Sequence, residues 1–171
     1  MADSNITRKA LAAALKAQMQ EEPFSGVSIG EICDRCDMNR KSFYYHFKDK
    51  YDLLNWIYDM EFLEVSETGV TGWAFLGKLL ERIRENRGFY RRAMEVKGQN
   101  SFHEHFEELM CPVVRERLEA LLPGRMVTDF QVRFYAGATT EALELWLQER
   151  EPWTWEEMLK QIMSCFPGQM E

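Results

Sequence analysis

Along most of this chain, apolar residues recur at intervals of three and four, the spacing that gathers them on one side of an α-helix. Leu11, Ala14, Leu15 and Met19 share such a face and Glu22-Pro23 closes the segment, so the pattern predicts a helix over about 4–20. Ser28-Ile29-Gly30-Glu31 has the form of a capping box and opens a short helix over about 29–36. Asp37-Met38 makes a tight connection in which Asp tolerates a left-handed backbone, and Asn39 is an N-cap for a third helix ending near residue 48. A fourth helix runs from 49 or 50 to about 67 with Leu54, Ile57, Tyr58, Phe62 and Val65 inward. Further helices are expected over 72–85, 88–96, 101–122, 127–149 and 155–166, divided by Gly-, Pro- and Asn-containing breaks. Nothing shows the period-2 alternation of a strand. The expected fold is all-α with about nine helices, and with no low-complexity linker any boundary near residue 50 is a packed one.

Composition agrees with a folded helical protein: 171 residues, 46% hydrophobic and 29% charged, with 10 Gly and 5 Pro. Charge adds an asymmetry to this picture. The formal net charge is −7, yet residues 1–50 hold eight Lys or Arg against seven Asp or Glu, leaving thirteen against twenty-one in the remainder. A polyanion would therefore be met by the first fifty residues. Lys9 and Lys16 break the N-terminal apolar pattern, and no run approaches the ~18 apolar residues of a membrane span, so a cytoplasmic location is expected. The four cysteines are then reduced, and the Asn5-Ile6-Thr7 sequon carries no meaning.

The stretch "MNRKSFYYHFKDKYDLL" concentrates cations and flat rings. At about 100° per residue from Asn39, Phe43 and Phe47 fall together toward a core, while Lys41, Ser42, Tyr45 and Lys48 fall opposite, flanked by Arg40 and Tyr44. Two short helices joined by a tight turn, with such a face on the second, match a helix lying in a DNA major groove. Arg and Lys donate to guanine edges and phosphates, Ser bonds either way, and Tyr joins a flat apolar surface to a polar tip. His46 and Tyr45 are candidate backbone clamps. Lys50, at the start of the fourth helix, combines its ammonium with free backbone amides that favour a phosphate.

Val27, Ile32, Cys33, Cys36 and Met38, followed by Phe43-Tyr44-Tyr45-His46-Phe47-Lys48-Asp49-Lys50 and Leu53-Leu54, resemble the N-terminal helix-turn-helix of TetR-family transcriptional regulators. The resemblance covers about residues 5–55. It implies a DNA-binding domain over 1–50 and an all-helical effector-binding and dimerisation domain over 51–171, acting as a homodimer on a palindromic double-stranded operator. It also implies base-reading roles for Arg40, Lys41, Ser42 and Tyr44, and phosphate contacts for Tyr45, His46 and Lys50, with Ser28 added to the DNA-facing set. Asp37 departs from the family pattern, which usually carries Gly there. The segments "ENRGFYRRAM", "GQNSF" and "GATTEALELWL" are similar to the subgroup around regulators of dihydroxyacetone kinase operons.

Other motifs lack the context their chemistry needs. Cys33-x-x-Cys36 has no second ligand pair and no βαβ setting, so both are read as small core residues. Gly26-Val27-Ser28-Ile29-Gly30 matches a nucleophile elbow by letter without a strand before it, which leaves Ser28 a helix cap. No Glu-x-x-His occurs, and His103 and His105 stand two apart on a helix, poorly placed to share a metal. No catalytic residue, metal or cofactor is expected. The soft, bulky residues after position 50 are either core or the wall of a cavity, with Trp56, Met60, Phe89, Met94, Asn100, His103 and Phe106 as candidate ligand contacts for an unknown small-molecule effector or protein co-regulator. The apolar eighth and ninth helices point to a four-helix dimer interface through Phe134, Ala138, Leu145, Trp146, Trp155, Leu159 and Ile162. The competing readings are a helical protein-interaction module without DNA-binding activity and a small helical enzyme built on residues 97–105.

Overall fold

The computed structural model describes residues 2–96, 101–150 and 152–168. Among these residues there are nine helices and no strand: α1 (Ala2–Glu21), α2 (Ile29–Arg35), α3 (Arg40–His46), α4 (Lys50–Ser66), α5 (Gly72–Glu85), α6 (Arg87–Met94), α7 (Phe102–Leu121), α8 (Asp129–Gln148) and α9 (Trp155–Ser164). Among the described residues no helix is long and apolar enough to cross a membrane.

Local chemistry sets many of the boundaries. The Ser28 hydroxyl accepts from Glu31 N at 3.2 Å and the Glu31 carboxylate accepts from Ser28 N at 2.9 Å, closing the expected capping box on α2. Thr128 with Gln131 and Thr154 with Glu157 form two more, at α8 and α9. Asp49 Oδ1 accepts from Tyr51 N and Asp52 N, both at 2.9 Å, and Asp52 Oδ2 accepts from Lys48 N at 2.9 Å, a reciprocal cap at the start of α4.

The chain divides into two compact units, Met1–Glu61 with Gly88–Phe102 and Phe62–Arg87 with His103–Glu171. In the first, Leu11, Leu15 and Met19 of α1 are fully buried, as are Ile32 of α2, Phe43 of α3, Leu53 and Tyr58 of α4 and Tyr90 of α6. Rings of Tyr58, Tyr90 and Phe102 meet edge-on or tilted at 5.3–6.2 Å, in the range where such pairs attract. Set into this core is a polar group of three: Lys16 and the Tyr90 hydroxyl both bond the carboxylate of Glu61, which is 8% exposed. Burial, and then the charges of Glu61 and Asp59, push the Tyr58 phenol well above its usual value. Arg92 donates to the carbonyls of Met19 and Glu22, covering the C-terminal end of α1 where backbone acceptors are otherwise free.

In the second unit α9 lies against α5. A Cβ on Gly77 would meet Leu159 Cδ2 at 3.2 Å and Trp155 Cζ3 at 3.4 Å, so the absence of a side chain at 77 lets the two helices approach. Trp146 is 4% exposed and donates from Nε1 to Trp153 O at 2.9 Å, and Ile162 is 5% exposed. Within the protomer Trp146 and Ile162 are thus buried, and the half-buried Trp155 and Leu159 pack toward Gly77 of α5.

Candidate DNA-binding surface

The connection between α2 and α3 explains how α3 is aimed. Asp37, with φ +53°, is the one non-glycine among the described residues with a positive φ. Asp37 N donates to Asp34 O at 3.4 Å and Met38 N to Cys33 O at 2.9 Å, the paired bonds of a Schellman cap with Asp where Gly is usual. The chain reverses at once, and Asn39 Oδ1 accepts from Ser42 N at 2.9 Å to start α3.

On α3, Phe43 is 0% exposed and Phe47, just beyond it, is 3%, while Tyr44 is 57% and Tyr45 82% exposed. Arg40, Lys41 and Lys48 are also exposed. The face of cations and phenols drawn from the sequence is thus a physical surface, backed by two core rings. The Arg40 guanidinium lies over α2, 2.7 Å from where a Cβ on Gly30 would stand. The Ser42 hydroxyl bonds Asn39 Oδ1 at 3.3 Å, and the His46 ring sits edge-on to Tyr45 with centroids 4.9 Å apart. Ser28 stands at the α2 cap already described. Cys33 and Cys36 are free thiols, raised above their ordinary value chiefly by burial, and therefore weak nucleophiles.

Lys50 differs from its expectation. Its ammonium donates to Phe24 O and Val27 O, each at 2.8 Å, and to Ser25 O at 3.4 Å, and it lies 4.7 Å over the Phe24 ring. Burial lowers its pKa below the ordinary lysine value. The amides of Tyr51 and Asp52 at the start of α4 are taken by Asp49, so the ammonium and two of the amides expected to seat a phosphate are already committed. Lys50 instead ties α4 to the α1–α2 connection, a role hidden in sequence because its acceptors are backbone atoms.

The candidate ligand contacts do not form one group within a unit. Trp56, Met60, Phe89 and Met94 belong to the first unit, His103 and Phe106 to the second, and Asn100 lies outside the described residues. Phe89, Met94 and Phe106 are each 1% exposed, and Trp56 meets Phe47 at 5.6 Å. A cavity of about 240 Å³ beside α6, lined by Phe24, Tyr51, Arg92 and Glu95 among others, includes none of them.

On the second unit, Phe134 and Leu145 of α8 are 60% and 56% exposed, and Ala138 lies exposed between them. Phe130, 78% exposed and stacked on Phe134, extends the same stripe by one turn. A groove of about 510 Å³ beside this stripe is lined by Leu145, Trp146, Trp153, Met158 and Ile162 among others.

Comparison with known proteins places these features. Residues 10–57 match the family described as bacterial regulatory proteins, tetR family, and residues 73–168 match a transcriptional regulator C-terminal region. The HTH-type dhaKLM operon transcriptional activator DhaS of Lactococcus lactis subsp. lactis (strain IL1403) is 29% identical over 119 residues, 67% of this chain and 64% of that protein's length. A solved structure described as dihydroxyacetone kinase operon activator DhaS superposes with a TM-score of 0.66 at 24% identity, covering 92% of each chain. A TetR transcriptional regulator from Streptococcus agalactiae 2603V gives a TM-score of 0.72 at 22% identity, over 94% of this chain and 93% of that one. With a helix-turn-helix whose outer face is cationic and aromatic, and family matches over both parts of the chain, this protein belongs to the TetR family of DNA-binding transcriptional regulators.

Proposed function

We propose that the chain acts as a homodimer on a palindromic operator, with residues 1–50 reading DNA and residues 51–171 pairing the protomers and receiving an effector. The observation that carries this reading is the exposed face of α3. Arg40, Lys41, Ser42 and Tyr44 contact base edges, while Tyr45, His46 and Ser28 contact phosphates. The exposed Phe130, Phe134, Ala138 and Leu145 stripe, with the groove beside it, receives the same surface of a second copy, an isologous contact that sets two α3 helices on two half-sites. The likeness to an operon activator supports promoter DNA as the target.

The effector, a small molecule or a protein, acts through α4, which is continuous from the first unit into the second. It changes DNA affinity only by binding the DNA-competent and incompetent arrangements unequally.

Fluorescence anisotropy on DNA from upstream of the gene, against scrambled DNA at two salt concentrations, tests the reading. Specific binding that falls steeply with salt is expected for the wild type, with a log–log slope of about −0.9 per phosphate neutralised. Arg40→Ala and Tyr44→Ala should lose specificity at unchanged stability. Wild-type affinity that is indifferent to salt, with no preference in selected random pools, would instead favour a protein-interaction module.

A further inference from the structure

Glu141 and Glu144 stand three residues apart on α8, so their carboxylates leave the helix on one face. Across from them His103, in the first turn of α7, brings Nδ1 to 3.0 Å from Glu144 Oε2. One donor atom from each of the three residues lies within 4.8 Å of the other two. One turn further along the seam Glu107 of α7 faces Gly137 of α8, where a Cβ would stand 3.6 Å from the Glu107 carboxylate. Three carboxylates and an imidazole from two helices of the second unit thus line one seam.

A histidine–glutamate hydrogen bond accounts for His103 and Glu144 but leaves Glu141 as a like charge beside Glu144, an arrangement that a cation between them would relieve. The spacing suits such a cation. With bonds of about 2.1 Å, two donors at a right angle on a metal lie about 3.0 Å apart, close to the His103–Glu144 separation. The third donor, on the exposed Glu141 side chain, lies within 4.8 Å of the other two.

We propose that His103, Glu141 and Glu144 bind a divalent first-row transition-metal cation, with water completing the coordination on the solvent side. One imidazole and two carboxylates, without a thiolate, suit Zn²⁺, Mn²⁺ or Fe²⁺ rather than a soft ion such as Cu(I). A metal takes the imidazole and carboxylates in their deprotonated forms, so affinity falls as the solution is acidified. The seam was hidden in sequence because its ligands are 38 and 41 residues apart, on different helices. The proposal concerns the second unit alone and stands whether or not the DNA-binding roles assigned above are right.

The test uses the full chain, stripped with EDTA and titrated with Zn²⁺ by isothermal calorimetry, with Mn²⁺ as the second probe. One ion per protomer is expected, and His103→Ala, Glu141→Gln and Glu144→Gln should each weaken binding by about tenfold or more. Glu141 is exposed, so Glu141→Gln should melt with the wild type in the absence of metal, which separates a lost ligand from a lost fold. Co²⁺ in place of Zn²⁺ should give d–d absorption without a thiolate charge-transfer band. Undiminished binding in Glu141→Gln and Glu144→Gln, a thiolate band, or no binding of either probe by the wild type would each overturn the proposal.

Discussion

Replacing Lys16 by Met removes the cation from a carboxylate that the fold has buried. Glu61 is held by Lys16 of α1 and by the Tyr90 hydroxyl of α6, with side-chain exposures of 25% for Lys16 and 10% for Glu61. Lys16 Nζ also stands 5.3 Å over the Phe89 ring, so its stem is packed as well as paired. Breaking a buried ion pair from one side typically costs about 3–5 kcal/mol, because the remaining charge keeps its desolvation penalty. The quarter exposure of Lys16 lets water reach the vacated position, so the loss here should be nearer about 2–3 kcal/mol. At about 2–4 °C per kcal/mol for a chain of this size, the melting temperature should fall by roughly 4–12 °C.

Glu61→Gln should cost less, since the Lys16 ammonium can turn to solvent and the Gln side chain can still accept from Tyr90. The double replacement Lys16→Met with Glu61→Gln should recover most of the Lys16→Met loss, because no charge is then left in the core. Urea denaturation of the four proteins, followed by circular dichroism, measures the cycle. A Lys16→Met protein within about 0.5 kcal/mol of wild type, or a double variant as unstable as the sum of the singles, would refute the reasoning.

At the helix-turn-helix, Asp37→Gly should change stability by less than about 1 kcal/mol, as relief at φ +53° is offset by the freer unfolded chain, whereas Asp37→Val should lose about 1–2 kcal/mol; chemical denaturation compares the two. On α8, Phe134→Glu and Leu145→Glu place charge on an exposed apolar stripe, so they should leave the protomer's melting intact and shift sedimentation toward monomer, whereas an unchanged sedimentation profile would remove the stripe from the dimer interface.

Read residue by residue, what the sequence determined is what depends on neighbours a few positions away. The Ser28–Glu31 box, the left-handed Asp37, the Asn39 cap and the division of α3 into a Phe43 side and a Tyr45 side all arise within one or two turns, and each was legible before any coordinate. Family likeness then tied that local pattern to DNA. An apolar stripe, however, states only that a face is buried, not what covers it. That is why α9 could be assigned to a partner chain while the packing of Trp155 and Leu159 onto α5 across Gly77 went unseen. The same limit hid the commitment of Lys50 to the carbonyls of Phe24 and Val27, the burial of Glu61 between Lys16 and Tyr90, and the meeting of His103 with Glu144. These contacts join positions from 23 to 45 residues apart, and only the docking of whole helices, driven by their apolar faces, decides which charges end up sharing a site.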